Sequence, residues 1–141
     1  MMLERMIFLA GLGQLVLVFA SLAIPRVLKW GEDTSKLRPL TRQVFWTYAG
    51  YIWMTNLSFA LISMLSPESL VDHSFLAKAI TSYIFTYWLV RVVIQFTWFD
   101  RSDAPQGAIF LLAEVMLDCL FIALVAVYGW AAIANITGAT A

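Results

Sequence analysis

Four stretches of this chain are almost wholly apolar over roughly the length of a membrane-crossing helix, and the polar residues between them fall in short clusters. They run from about Met6 to Leu28, Val44 to Leu65, Phe75 to Phe99 and Ala108 to Ile133. A helix rises ~1.5 Å per residue, so about 20 apolar residues cross the ~30 Å hydrocarbon layer of a bilayer. Inside lipid the backbone finds no water, and a helix lets one segment pair its own N–H and C=O groups. The pattern therefore predicts an all-α protein, an integral membrane four-transmembrane-helix bundle with short loops. Residues 1–141 form a single transmembrane domain on this reading.

The clusters supply the punctuation. Pro25, Arg26 and Lys29 end the first segment. Thr41 is placed to cap the second helix, and Ser66-Pro67-Glu68 reads as an N-cap, a first-turn proline and an early acid opening a brief interfacial turn. Ser102 or Asp103, followed by Pro105, is placed to start the fourth helix. Ser21-Leu22-Ala23 resembles a leader cleavage site, but Arg5 is the only base ahead of the apolar run and Glu4 offsets it, so the segment reads as an uncleaved anchor. Gly11 and Gly13 suit close helix approach.

Composition narrows the class. The chain is 62% hydrophobic and 13% charged over 141 residues, more apolar surface than a soluble domain of this size can hide. Its formal net charge is zero and no basic stripe is visible, so nucleic acid is not an expected partner. Arg26, Lys29, Lys36, Arg38 and Arg42 gather around the first loop and Arg101 lies in the third, whereas Arg5 and Lys78 lie on the opposite side. Basic loops stay cytoplasmic, which predicts both termini outside, and the short loops suggest a bacterial cytoplasmic membrane. The charged first loop offers a surface for anionic headgroups, but Glu32 and Asp33 dilute it, and topology-setting charge is the better reading. Trp30, Trp46, Trp98 and Phe99 near the inner boundary, with Tyr83, Tyr128 and Trp130 near the outer one, read as aromatic belts.

Ionisable groups within the spans carry the candidate chemistry, because charge in hydrocarbon is costly and faces protein or water. Arg91 and Glu114 lie at matched distances from the loop between the last two segments, so an ion pair between them is expected. Asp118 follows Glu114 by one turn on the same face. Tyr87, Arg91, Gln95 and Trp98 recur at helical spacing as one polar stripe, and Tyr48, Tyr51, Thr55 and Ser58 form another. Asn56 and Gln14 add amides, giving an expected intramembrane network of Arg91, Glu114, Asp118, Gln95, Tyr87 and Asn56. Trp53 and Trp88 lie deep, where an indole N–H wants a partner; with Tyr51 and Thr55 they outline a candidate ligand pocket.

Other chemistries lack their parts. His73 is the only histidine and reads as a solvated loop residue, and Cys119 is the only cysteine and reads as a small buried hydrophobe. Neither a metal site nor a resident cofactor is expected. Asn135-Ile136-Thr137 matches a glycosylation acceptor. These features favour a non-catalytic subunit or scaffold of a membrane complex, in contact with membrane lipids and either self-associating or docked to a larger assembly. One alternative is a proton-coupled carrier using Asp118. Another is a membrane enzyme or binding protein that takes a lipid, quinone or isoprenoid into a polar intramembrane pocket, with Glu114 or Asp118 as acid or base.

Overall fold

All four apolar stretches are helical. A computed structural model describes residues 2–100, 102 and 104–139. Its helices are α1 (Met2–Ser21), α2 (Ile24–Val27), α3 (Trp30–Ser35), α4 (Pro39–Leu65), α5 (Phe75–Thr97) and α6 (Ala108–Thr137), with a 3₁₀ turn at Glu68–Leu70. No strand occurs among the described residues. Among the described residues, three segments are long and apolar enough to cross a membrane: Met2–Val27, Phe75–Thr97 and Ala108–Thr137. The expected second span lies in α4, a 27-residue helix whose apolar character is diluted by Thr47, Tyr48, Tyr51, Thr55, Asn56 and Ser58, and it is not one of the three.

Helix ends depart from the sequence reading where proline or glycine overrules a polar cap. Pro39 sits in the first turn of α4, so the helix begins two residues ahead of Thr41, which becomes an interior residue. Proline's fixed φ suits that first turn, and its missing N–H costs nothing there. Gly107 (φ 138) precedes α6, placing its start well after Ser102, whose backbone N–H instead donates to the Asp100 carboxylate at 2.9 Å. Asp103 and Arg101 lie outside the described residues. At Ser66-Pro67-Glu68 the brief turn forms, but Pro67 occupies the cap position and no side chain caps it. The cap the sequence reading missed is Ser74, whose hydroxyl accepts from the Ala77 N–H at 3.0 Å to open α5.

Packing joins two helix pairs. α1 lies along α4, α5 lies along α6, and α1 also touches α6 to bring the pairs together. Leu3, Ile7, Phe59, Leu70, Ile84, Trp88, Phe121, Leu124 and Tyr128 form the core. The first apolar segment is thus part of the bundle interior. Gly11 makes the α1 to α4 approach possible: a Cβ there would stand 2.9 Å from both Ser63 Cβ and Met64 Cγ and 3.1 Å from the Ala60 carbonyl oxygen. A Cβ at Gly13 would meet Leu120 at 2.9 Å. Both glycines serve close helix approach, as expected of them.

Burial runs along most of α1 and is otherwise concentrated toward one end of the bundle. Buried residues run from Leu3 to Val18 in α1, from Phe59 to Ser63 in α4, from Ala77 to Trp88 in α5 and from Phe121 to Asn135 in α6. That end carries the 66–74 loop and the C-terminal end of α6; the opposite end, with the α1 to α4 connection, has half-buried and exposed side chains, Thr34 excepted.

Gly11→Val is expected to wedge α1 from α4. Because one obstructing atom is a backbone carbonyl, the loss should be ~1–3 kcal/mol in a reversible unfolding titration in detergent. Gly50→Val, where an added Cβ meets nothing within 4 Å, should leave the midpoint nearly unchanged.

Candidate functional site

Polar side chains meet at the centre of the buried end. The Gln14 amide donates to the Tyr128 hydroxyl at 2.5 Å, the Ser63 hydroxyl shares a proton with that same oxygen at 2.6 Å, and the Trp88 indole N–H donates to the Gln14 carbonyl at 3.2 Å. Gln14 also donates to the Ala10 carbonyl at 3.5 Å, so its amide group is satisfied on both sides. All four side chains are buried and each comes from a different long helix: Gln14 from α1, Ser63 from α4, Trp88 from α5 and Tyr128 from α6. Trp88 is held further by Phe121, stacked at 5.4 Å between centroids, and by Tyr87 edge-on at 5.3 Å.

Tyr128 therefore corrects its sequence reading. It is no belt residue but the hub of the interior, because α6 continues nine residues past it, to Thr137, and so carries it well below the helix end. Ser63 gave no signal of its own; it stands opposite Gly11, whose lack of a side chain brings it within reach.

A second buried node ties the 66–74 loop to α6. Asn135 donates to the Leu70 carbonyl at 2.8 Å and to the Thr81 hydroxyl at 3.3 Å, and its carbonyl accepts the His73 backbone N–H at 3.1 Å. His73 meets it in the left-handed region (φ 61) and is half-buried, not the solvated residue expected. The Asn135-Ile136-Thr137 triplet lies in helix with its asparagine buried, so it offers no acceptor amide in the folded protein. Beside it, hydrogen bonds from the Ser74 side chain and backbone hold the Asp72 carboxyl below the usual carboxylate range.

Expected network residues lie toward the open end. Asn56 on α4 donates to the Tyr87 hydroxyl of α5 at 3.1 Å and to the Ile52 carbonyl at 2.9 Å. Arg91 donates to the Gln95 carbonyl one turn along α5 at 2.8 Å, and its guanidinium lies over the Phe121 ring at 4.8 Å and the Phe99 ring at 5.1 Å. The expected Arg91–Glu114 ion pair is not found within 4 Å among the described residues, where Lys36 meets Asp33 at 3.9 Å. Equal rise fixes depth but not direction around the helix axis, and the Arg91 side chain runs along its own helix toward Gln95 and two rings. Glu114 and Asp118 are half-buried on α6.

The candidate pocket residues point to separate partners. The Trp53 indole N–H donates to the Val18 carbonyl of α1 at 3.1 Å, while that of Trp88 is taken by Gln14. Tyr51 is exposed, and the Thr55 hydroxyl bonds back to the Tyr51 carbonyl at 2.9 Å. A shallow depression bounded by Glu4, Phe8, Leu9 and Pro67 lies at the rim, away from these side chains. Cys119 faces outward, correcting its buried reading, since one helical step turns it off the face that holds Asp118. Among the described residues no three His, Cys, Asp or Glu side chains could share a metal ion. The chain matches no protein-family model, no curated protein and no solved structure.

Removing the hub oxygen leaves Gln14 and Ser63 without their shared partner in a buried site. Tyr128→Phe is therefore expected to cost ~1–3 kcal/mol in detergent unfolding. Tyr51→Phe, at an exposed position, should cost almost nothing in the same titration.

Proposed function

We propose that this protein is a non-catalytic subunit of a membrane assembly, with α4 as a fourth span and a partner helix seated on its open half. The observation that carries this reading is the burial of α4: Phe59, Ala60 and Ser63 are its buried residues, and nothing from Pro39 to Ser58 is buried. That stretch has no charged side chain after Arg42, so it suits a membrane interior, yet it presents Tyr48 and Tyr51 at 62% and 61% exposure. Gly50 lies between them with open space where a Cβ would stand, which lets another backbone come close. Lipid alone offers phenolic hydroxyls no partner in its hydrocarbon, whereas a facing helix does.

The neighbouring open faces fit the same role. Arg91 and Gln95 on α5 are half-buried, and ionisable groups in spans usually face protein or water. Both termini lie outside and the basic first connection inside on this reading, following the balance of lysine and arginine. The half-buried carboxyl of Asp118 within the apolar helix α6 favours a second reading, a proton-coupled carrier using Asp118.

A cysteine at position 51, in a Tyr51→Cys, Cys119→Ser protein, tests the subunit reading in native membranes. Cross-linking to a second polypeptide, with native mass spectrometry in mild detergent giving a mass above one chain, is the expected outcome. A single-chain mass together with no cross-link from position 51 would sink it. Proton flux in proteoliposomes that Asp118→Asn abolishes would favour the carrier instead.

A further inference from the structure

The connection between α1 and α4 gathers charge and aromatic surface at the open end of the bundle. Arg26, Lys29, Lys36, Arg38 and Arg42 are all exposed there, alongside Glu32 and Asp33. Asp33 meets Lys36 at 3.9 Å, an exposed pair that removes one charge of each sign. Arg26, Lys29, Arg38 and Arg42 then stand against Glu32 alone, an excess of three positive charges (four less one).

This segment is folded rather than a plain basic loop. Lys29 takes a left-handed backbone (φ 53) that turns the chain from α2 into α3. The Thr34 hydroxyl bonds back to the Trp30 carbonyl at 2.6 Å, and Thr34 is buried. The Trp30 ring then meets Phe45 edge-on at 5.1 Å and Trp46 at 6.1 Å, while Phe45 and Trp46 meet at 5.8 Å. Three rings thus clamp α3 to the early turns of α4, and Val27, Leu28, Leu37 and Leu40 are exposed among the cations.

We propose that residues 26–46 form a docking surface for anionic phospholipid headgroups, with the Trp30, Phe45 and Trp46 rings at the headgroup level and Arg26, Lys29, Arg38 and Arg42 pairing with phosphates. Charge complementarity supplies the anion, because each base near a negatively charged leaflet adds attraction that salt screens. The exposed aliphatic side chains commit the source to a lipid, since a soluble anion gives them nothing to cover. Setting topology needs only the number of positive charges, whereas headgroup binding also uses the ring cluster that fixes their depth. This surface requires that the spans cross the membrane and does not depend on the subunit reading.

The test uses the purified full chain in vesicles of equimolar phosphatidylglycerol and phosphatidylcholine, extracted gently for native mass spectrometry of the retained lipids. Topology is already set in this material, so a purely topological role would not move the result. Wild type should retain phosphatidylglycerol several-fold over phosphatidylcholine. Arg26→Gln, Lys29→Gln, Arg38→Gln and Arg42→Gln together should bring that preference down to about equal retention of the two lipids. Washing wild type at about 0.5 M NaCl should weaken it as well. A charge-keeping control, Arg26→Lys, Arg38→Lys and Arg42→Lys, should retain it. Equal retention of the two lipids by wild type would overturn the proposal. So would a preference indifferent to salt, a result that stands even if the glutamine variant fails to fold. Full displacement of the lipid by millimolar inorganic phosphate would assign the site to a soluble anion and overturn it too.

Discussion

Burying an amide, two hydroxyls and an indole N–H in a protein that sits in hydrocarbon is tolerable only if each finds a partner inside the chain. Around the Tyr128 oxygen that condition is met by Gln14 and Ser63, with Trp88 closing on the far side of Gln14. The bonds reach across all four long helices, so they set relative rotation and depth as well as adding energy. Close approach at Gly11 belongs to the same constraint: it brings Ser63 against α1 one turn from Gln14. The stack of Trp88 on Phe121 fills the space beside it. With its partners paired in a low-dielectric interior, such a network favours one arrangement over slipped registers.

Hydroxyls on the faces of α4 and α5 are handled locally. Thr47, Thr55 and Ser58 on α4 bond back to the carbonyls of Gln43, Tyr51 and Met54, and Thr86 and Thr97 on α5 do the same with Ser82 and Val93. A hydroxyl satisfied by its own helix can face lipid at small cost. This is how the stripe of Tyr48, Tyr51, Thr55 and Ser58 can be polar without being interior, and it explains why helical spacing alone overstates the size of a polar core. The tyrosines have no such local route, which is why they weigh more than the threonines in locating a partner.

Electrostatics divides the molecule end from end. The buried end is held by neutral hydrogen bonds, through Tyr128 and Asn135, whereas the open end carries Arg91 with its aromatic neighbours and the basic connection between α1 and α4. A guanidinium over two rings and against a glutamine keeps its charge with less need of a direct ion pair, because ring faces and an amide oxygen both solvate a cation.

Helix content, the rough limits of the four apolar segments and the membrane-crossing character of three of them were legible in the sequence, since length and apolarity alone decide whether a helix suits hydrocarbon. The importance of Gln14, Asn56, Tyr87 and the glycines was also readable, because each is an exception to its surroundings. Tyr128 and Ser63 were not, for a tyrosine near a span end looks like an anchor and a serine in a helix looks like nothing at all. Partnering of Arg91 with Gln95 rather than Glu114 could not be read either, as matched depth says nothing about rotation around two helix axes. Sequence by itself determined which segments must avoid water. Tertiary structure alone decided which side chains meet, because that depends on angles between helices set by contacts far apart in the chain.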